Sequence, residues 1–261
     1  MTLKVIDNDK PEPEHKIELI KLSASSMKTY DQCPKKYFYT YIEKLPQKSH
    51  DHFDLGNLCH RTLEIFHEIY IKDGNKMGTL NKLMSHSFSA AKKEEEFKNL
   101  PDKIKLEAKE LLFDYLKFVS DNGMPMVKGV EIPFNFNIGN DILIRGFIDR
   151  LDVAKDGVFR IIDYKTTKNV KYLDPFQLAI YGLWLKKEYP EVEKFRAAYV
   201  LLRHNSKTKD YEFNSEDLKK VEKEVLNYAA KIKSENQWVP MPTALCNWCD
   251  FQSVCPAHSA W

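Results

Sequence analysis

Apolar and polar residues alternate along this chain in two different rhythms, and the change of rhythm marks out its parts. From Phe53 to Ile71, Leu55, Leu58, Leu63, Ile65, Phe66 and Ile69 recur at helical spacing, which predicts a strong amphipathic helix. Residues 78–97 and 101–120 predict two more helices. From Met126 to Ile138 the period becomes that of a strand, and β-branched and aromatic residues crowd Ile144–Val153 and Val158–Thr166. Asp174-Pro175 then opens a helix through Tyr189, with the proline at a first-turn position. Lys194–Leu202 reads as a buried strand, Tyr211–Phe213 as a short one, and Ser215–Ser234 as a long amphipathic helix. Near the start, Leu22-Ser23-Ala24-Ser25-Ser26 offers several N-caps, and Pro34 should break or restart that helix after Cys33. A strand-rich middle with helices before and after it predicts an α/β fold, a mixed sheet covered by helices.

The two central strands carry the most chemistry. Lys155-Asp156-Gly157 joins them as a tight turn, with glycine where a three-residue hairpin loop needs a left-handed residue. If Ala154 faces Val158, then Val153 faces Phe159, Leu151 faces Ile161 and Asp149 faces Asp163 on one side of the sheet. On the other side Asp152 meets Arg160, an opposite-charge pair in the same register. The Cβ atoms of Asp149 and Asp163 are then roughly 5 Å apart, with Lys165 two residues on. Two such carboxylates repel unless a proton or cation lies between them. A divalent metal beside a lysine suits phosphodiester hydrolysis, the metal activating water and the ammonium holding water or oxyanion. The plainer alternative is a hairpin with scattered surface charges.

The length of 261 residues allows one large domain or two small ones. A net charge of +2 gives little global field, so nucleic-acid binding would need local basic patches. No stretch is long and apolar enough for a membrane span, and the N-terminus lacks the apolar core of a signal peptide. A cytoplasmic location is therefore expected, where disulfides are rare, and the five cysteines need another explanation.

Several smaller features have both a functional and a bland account. His60 and Glu64 lie four apart on one helix face, either as ligands or as ordinary helical residues. Cys59 is an ordinary small buried residue. Tyr37, Phe38 and Tyr41 are expected in the core, while Lys35, Lys36, Lys168 and Lys171 are candidate phosphate contacts or solvated charges. Lys92-Lys93-Glu94-Glu95-Glu96 is expected to be a solvated helix face. Gln177 and Tyr181 form a polar pair one turn apart on an otherwise apolar helix. Cys246, Cys249 and Cys255 have metal-ligand spacing, and Cys33, also followed by proline, is the candidate fourth thiolate for zinc or an iron–sulfur cluster.

Taken in order, these stations resemble the PD-(D/E)XK nuclease superfamily, and more narrowly the RecB-like exonucleases with a four-cysteine iron–sulfur cluster. That group includes the CRISPR-associated RecB-type exonucleases and the nuclease domain of AddB. The resemblance rests on Leu22-Ser23 with Cys33-Pro34-Lys35-Lys36-Tyr37, on Gly56 through His60 to Glu64, and on Gly146-Phe147-Ile148-Asp149. Asp163-Tyr164-Lys165-Thr166, Gln177 to Tyr181 and the C-x2-C-x5-C triplet complete it. Gly-Phe-Ile-Asp stands where the superfamily's name has Pro-Asp, and the helices around 73–120 match no motif.

The resemblance implies a restriction-endonuclease-like core in which His60, Asp149, Asp163 and the Tyr164 carbonyl bind Mg²⁺ or Mn²⁺. The nitrogen ligand makes manganese at least as comfortable as magnesium. It implies that Lys165 positions or activates water, that Gln177 and Tyr181 orient the lysine and the scissile phosphate, and that Glu64 supports the ligands. The four cysteines would hold a structural [4Fe–4S] cluster, with structural zinc as the alternative. The implied layout is a flexible or loosely strand-like lead-in at 1–21 and a single nuclease domain at 22–261. Within it lie a helical insert about 73–120, a core about 126–213 and a cluster-binding tail at 238–261 joined to Cys33. The expected function is metal-dependent cleavage of DNA, exonucleolytic on single-stranded ends or flaps, alongside recombination, repair or CRISPR partner proteins. Its rivals are a non-catalytic DNA-end-binding adaptor and a sequence-specific endonuclease.

Overall fold

A computed structural model describes residues 19–47, 51–74, 76–171 and 173–258. The expected lead-in therefore lies outside the described residues up to position 18, as do the last three residues of the tail. Where the lead-in enters the described part it is sheet: Ile20–Leu22 forms strand β1. Ser23 then starts helix α1 (Ala24–Gln32) with a reciprocal capping box, its side chain taking the Ser26 N–H while the Ser26 hydroxyl takes that of Ser23. Cys33 ends α1 and starts α2 (Pro34–Tyr37), the break that Pro34 predicts, and a π-helical turn (Phe38–Ile42) follows. Helix α3 (Asp51–Asp73), α4 (Leu80–Ala91) and α5 (Asp102–Asn122) come next. Strands β2 (Val127–Ile138), β3 (Ile142–Val153) and β4 (Phe159–Lys165) form a meander. Helix α6 (Phe176–Glu188), strands β5 (Lys194–Leu201) and β6 (Lys207–Asn214) and helix α7 (Ser215–Ser234) complete the core.

The six strands form one mixed sheet with helices on both faces. One face packs against α1, α6 and α7 through Met27, Ile144, Ile148, Leu151, Ile161, Leu178 and Val225. The other packs against α3, α4 and α5 through Leu58, Leu63, Phe66, Leu112, Ile162 and Val200. Connections set the pairing: β4 runs parallel to β5 through the α6 crossover, whereas β2–β3, β3–β4 and β5–β6 are antiparallel.

Strand β3 is shared unusually. β2 pairs with it from Ile142 to Asp152, so β1 and β4 must divide its other edge. β1 takes Ile142–Ile144 and β4 takes Arg150–Val153, which leaves Arg145–Asp149 unpaired on that side. The fork where β3 and β4 part is the place that matters.

The hairpin has the expected register, with Val153–Phe159, Leu151–Ile161 and Asp152–Arg160 as partners and Gly157 at φ +80°. One expectation about it fails. The ladder ends at Arg150–Ile162, one step before Asp149–Asp163, and the Asp149 carboxylate accepts the Tyr164 N–H at 2.7 Å. Asp152 and Arg160 face each other as expected, but their hydrogen bonds go elsewhere: Asp152 is gripped by its neighbour-but-one Arg150, and Arg160 turns to Asp210. Other differences are local. Pro175 caps α6 from outside rather than entering its first turn. The 92–96 charge run is turn rather than helix, and Glu94 binds Arg61 instead of standing free in water. The expected Tyr211–Phe213 strand extends to Lys207–Asn214, since an edge strand tolerates the charged residues that hid its start.

Gly182 on α6 is required by close approach. A Cβ there would lie 2.1 Å from the ring of Phe195, itself buried on β5 and stacked on Phe213. Gly182→Ala should therefore destabilise the protein by roughly 1–3 kcal/mol of overpacking, outweighing the ~1 kcal/mol that alanine gains over glycine in a helix. Urea unfolding at fixed m-value measures it, and a more stable variant would refute the packing account.

Candidate active site in the β3–β4 fork

Because β3 and β4 separate at the fork, their polar side chains there can reach different partners. On one side stand Asp149 from β3 and His60 from α3. His60 Nδ1 lies 3.4 Å from Asp149 Oδ2, and His60 Nε2 lies 3.0 Å from the Tyr164 carbonyl oxygen. Glu131 of β2 joins them, one ligand atom each of His60, Glu131 and Asp149 lying within 4.8 Å of one another. Glu131 has φ +43°, the left-handed region, in the middle of a strand. Sequence reasoning missed it: a glutamate among alternating residues looks like any solvent-facing strand position. Its signal was positional, because the β2–β3 register brings it beside Asp149.

On the other side Asp163 and Lys165 of β4 turn toward α6. Lys165 Nζ lies 2.7 Å from Asp163 Oδ2 and donates to Gln177 Oε1 at 3.1 Å. Gln177 Nε2 donates to Asp163 Oδ1 at 2.7 Å and to the Tyr181 hydroxyl at 2.5 Å. The Lys165 ammonium also sits 5.3 Å from the centre of the Tyr199 ring. The structure thus brings together His60, Asp149, Asp163, Tyr164, Lys165, Gln177 and Tyr181, but in two adjoining groups. Asp163 belongs to the lysine group, whereas Asp149 belongs to the histidine group.

Electrostatics follows this division. Burial opposes charge on His60, yet the neighbouring Asp149 carboxylate outweighs it and lifts the imidazole to about 9. Burial likewise opposes ionisation of Asp149, but His60 and Lys165 hold it below the ordinary carboxylate range. Asp163 goes the other way, to about 6, because burial and Asp149 outweigh the lysine. Glu131 is raised to about 7 by burial and by Asp149. An array of carboxylates that cannot all ionise comfortably, joined by an imidazole and a main-chain carbonyl, is the donor set a hard divalent cation prefers. Asp163 Oδ2 fits that description closely, being buried with no hydrogen bond beyond its contact with Lys165.

The remaining candidates lie elsewhere. Glu64 pairs with Arg61 at 2.7 Å, and Arg61 is also bound by Glu94. Lys168 and Lys171 are exposed on the β4–α6 connection. Lys35 and Lys36 line a cavity of about 630 Å³, together with Cys33, Cys246, Cys249 and Cys255. Cys33 Sγ accepts the main-chain N–H of Lys36 and of Met241, and Cys246 Sγ that of Thr243, each at 3.4 Å. Aromatic packing closes the same junction: Trp238 stacks on Tyr37, Phe251 lies against Tyr39, and the Tyr39 hydroxyl donates to the Val254 carbonyl. Cys59 is fully buried in the α3 core and apart from this group.

Beneath the fork lies a buried network with Arg150 at its centre. Its guanidinium donates to Asp152 at 2.8 and 2.9 Å, and through Nη1 to the hydroxyls of Tyr115 (2.6 Å) and Tyr164 (2.5 Å), with His67 Nε2 3.1 Å from the same nitrogen. His67 Nε2 also lies 2.8 Å from the Tyr115 hydroxyl and 3.2 Å from that of Tyr164, while its Nδ1 is buried without a partner. Burial and the nearby guanidinium hold that imidazole neutral. His67 is two turns along α3 from His60, so the network fixes the height of α3 over Tyr164 and with it the distance from His60 to the Tyr164 carbonyl.

A family model described as the PD-(D/E)XK nuclease superfamily matches residues 21–256, nearly the whole chain. The chain belongs to the PD-(D/E)XK nuclease superfamily. One subunit of the ATP-dependent helicase/deoxyribonuclease of Streptococcus agalactiae serotype Ia is 27% identical over 157 residues, covering 57% of this chain and 14% of that protein. The subunit of the same name from Streptococcus pyogenes serotype M3 is 28% identical over 201 residues, covering 70% and 18%. The chain thus spans less than a fifth of the length of these curated relatives. A solved structure from Eubacterium rectale, provisionally named an exonuclease, aligns with 95% of this chain and 93% of its own at 14% identity and a TM-score of 0.48. Members of this superfamily use divalent metals. No helix among the described residues is long and apolar enough to cross a membrane.

Removing the centre of the buried network leaves Asp152 uncompensated. Arg150→Met should cost roughly 3–5 kcal/mol, read by denaturant unfolding. Arg150→Met with Asp152→Leu should recover much of that loss; an equal loss in both would show that packing, not charge, is at stake.

Proposed function

We propose that the protein is a metal-dependent deoxyribonuclease that degrades single-stranded DNA from an end or flap. The observation carrying this is the fork itself, where an imidazole, two carboxylates and a carbonyl adjoin a lysine held by an aspartate and a glutamine. His60, Asp149, Asp163 and the Tyr164 carbonyl would hold Mg²⁺ or Mn²⁺, and Glu131 is placed to add a carboxylate. The bound ion would neutralise phosphate charge and lower the pKa of a water.

The chain's own groups do the rest. Asp163 and Gln177 fix the Lys165 ammonium, which can then donate to an attacking water or to a non-bridging phosphate oxygen. Gln177 presents its carbonyl to the lysine and its amide to Asp163 and Tyr181, so one side chain sets the direction of three. Before an ion binds, His60 and Lys165 keep the Asp149 carboxylate ionised in a buried place; a bound ion would displace the His60 proton and take over that role. Such a site contacts backbone rather than base edges, so low sequence specificity and strong salt dependence are expected. The deoxyribonuclease names of the streptococcal relatives agree with this choice of substrate. Recombination or repair machinery is the setting that best suits it.

The four cysteines would hold a structural [4Fe–4S] cluster that clamps the α1–α2 segment to the tail. Their main-chain N–H···S bonds suit cluster thiolates. Structural zinc held by the same four thiolates is the alternative.

End-labelled single-stranded and duplex DNA, incubated with Mg²⁺, Mn²⁺ or EDTA, tests the catalytic reading. Wild type should give a metal-dependent ladder, and Lys165→Ala or Asp163→Ala should lose about 10²–10³-fold or more in rate with the fold intact. Activity kept by both variants would remove the site assignment, and DNA binding without cleavage by wild type would favour an adaptor. Separately, protein purified without oxygen should be coloured. Cys249→Ser should lose that absorbance and melt earlier, whereas a colourless, iron-free wild type would refute the cluster.

A further inference from the structure

The fork leaves one stretch of sheet bare. Ile144 and Ile148 of β3 are fully buried against the α1–α6–α7 layer, so the residues between them, Arg145 and Phe147, project from the opposite face. That is the side on which α3 lies, but α3 does not cover them: Arg145 is exposed and Phe147 is 59% exposed. Their β2 partners, Asn135 and Pro133, are exposed as well. On the other edge, β1 sets the exposed Lys21 beside Leu143, on the same face and one step beyond Arg145. Asp149 follows two residues after Phe147. From the Lys21 row to Asp149 is six residues, roughly 20 Å of strand.

Each of these side chains is uncommitted. Among the described residues Lys21 and Arg145 have no hydrogen-bond or ion-pair partner and Phe147 has no ring contact. Among the described residues no acidic residue lies on this strip except at the end beside His60, and Asp141, at the far end, is held by Lys233. An exposed phenylalanine between unpaired cations costs solvation without adding to the core. It also matches what unpaired DNA needs, cations for phosphates and an aromatic face for a base.

We propose that this strip is the track for the single strand next to the scissile phosphate, with Phe147 stacking on a nucleobase and Arg145 and Lys21 taking successive phosphates. The proposal rests on the nuclease reading above and adds to it the residues that make the substrate single-stranded. A base inside a duplex is already stacked on both faces and offers Phe147 nothing.

Fluorescence anisotropy of a labelled oligo-dT with the whole protein in EDTA, where cleavage is off, tests it across a salt series. Phe147→Leu, which keeps apolar bulk but not the ring face, should weaken single-strand binding five- to tenfold, and Phe147→Trp should restore it. Arg145→Gln and Lys21→Gln should each lower the salt slope by about 0.7. Melting temperature and Mn²⁺ binding should not change in any of the four. Unchanged affinity in Phe147→Leu with unchanged slopes in both glutamine variants overturns the track while leaving the nuclease intact. Wild type that binds no DNA at all overturns both. A change of oligomeric state in Phe147→Leu, seen by light scattering with DNA affinity unchanged, would reassign the strip to a protein interface and overturn the track.

Discussion

The parting of β3 from β4 controls the site, and a single hydrogen bond marks where it happens. Continuing the hairpin by one more pair would set the two aspartates directly across from each other, with their charges opposed. Instead the Asp149 carboxylate takes the Tyr164 N–H, and the strands diverge. β4 goes on with β5 as its partner, carrying Asp163 and Lys165 toward α6. β3 keeps only β2 beside it at this level, so Asp149 faces α3 and His60. Breaking the ladder creates a gap in which repelling groups can share an ion, and that gap is also what leaves Arg145 and Phe147 uncovered.

A fork is mechanically weak, because each strand has lost a neighbour. The Arg150 cluster supplies the missing rigidity from below, tying β3, β4, α3 and α5 through one guanidinium. An ion pair so deeply buried contributes little net stability against an apolar replacement. Its value is positional: Tyr164 offers its hydroxyl to the network and its carbonyl to His60, so one residue passes rigidity to the site. The helices α4 and α5, which match no motif, have a role here, since α5 supplies Tyr115 and a salt bridge from Glu107 to Arg203. Arg203 also holds the Thr166 carbonyl just past Lys165.

The cysteine junction stands apart from the fork and follows a different logic. Tyr37, Trp238, Tyr39 and Phe251 already join the two ends of the described chain by packing. A metal group among the four thiols would act on the same closure, adding strength to a contact whose shape the aromatics set.

Much of this was legible in residue order. Helical and strand periods, the Ser23 cap, the Cys33-Pro34 break and the Gly157 turn depend on local backbone preferences, which are properties of neighbouring residues. The motif residues, from His60 to Tyr181 and the four cysteines, could be singled out because their types and spacing are unusual. What local order could not contain was competition between distant partners. Asp152 chose Arg150 over Arg160, Glu94 chose Arg61 over water, and Asp149 chose a backbone N–H over its cross-strand position. Glu131 was invisible for the same reason, as its role comes from a β2 register and a helix more than sixty residues away. The sequence determines which groups can bind; only the tertiary structure, by burying some and leaving others in water, decides which of them do.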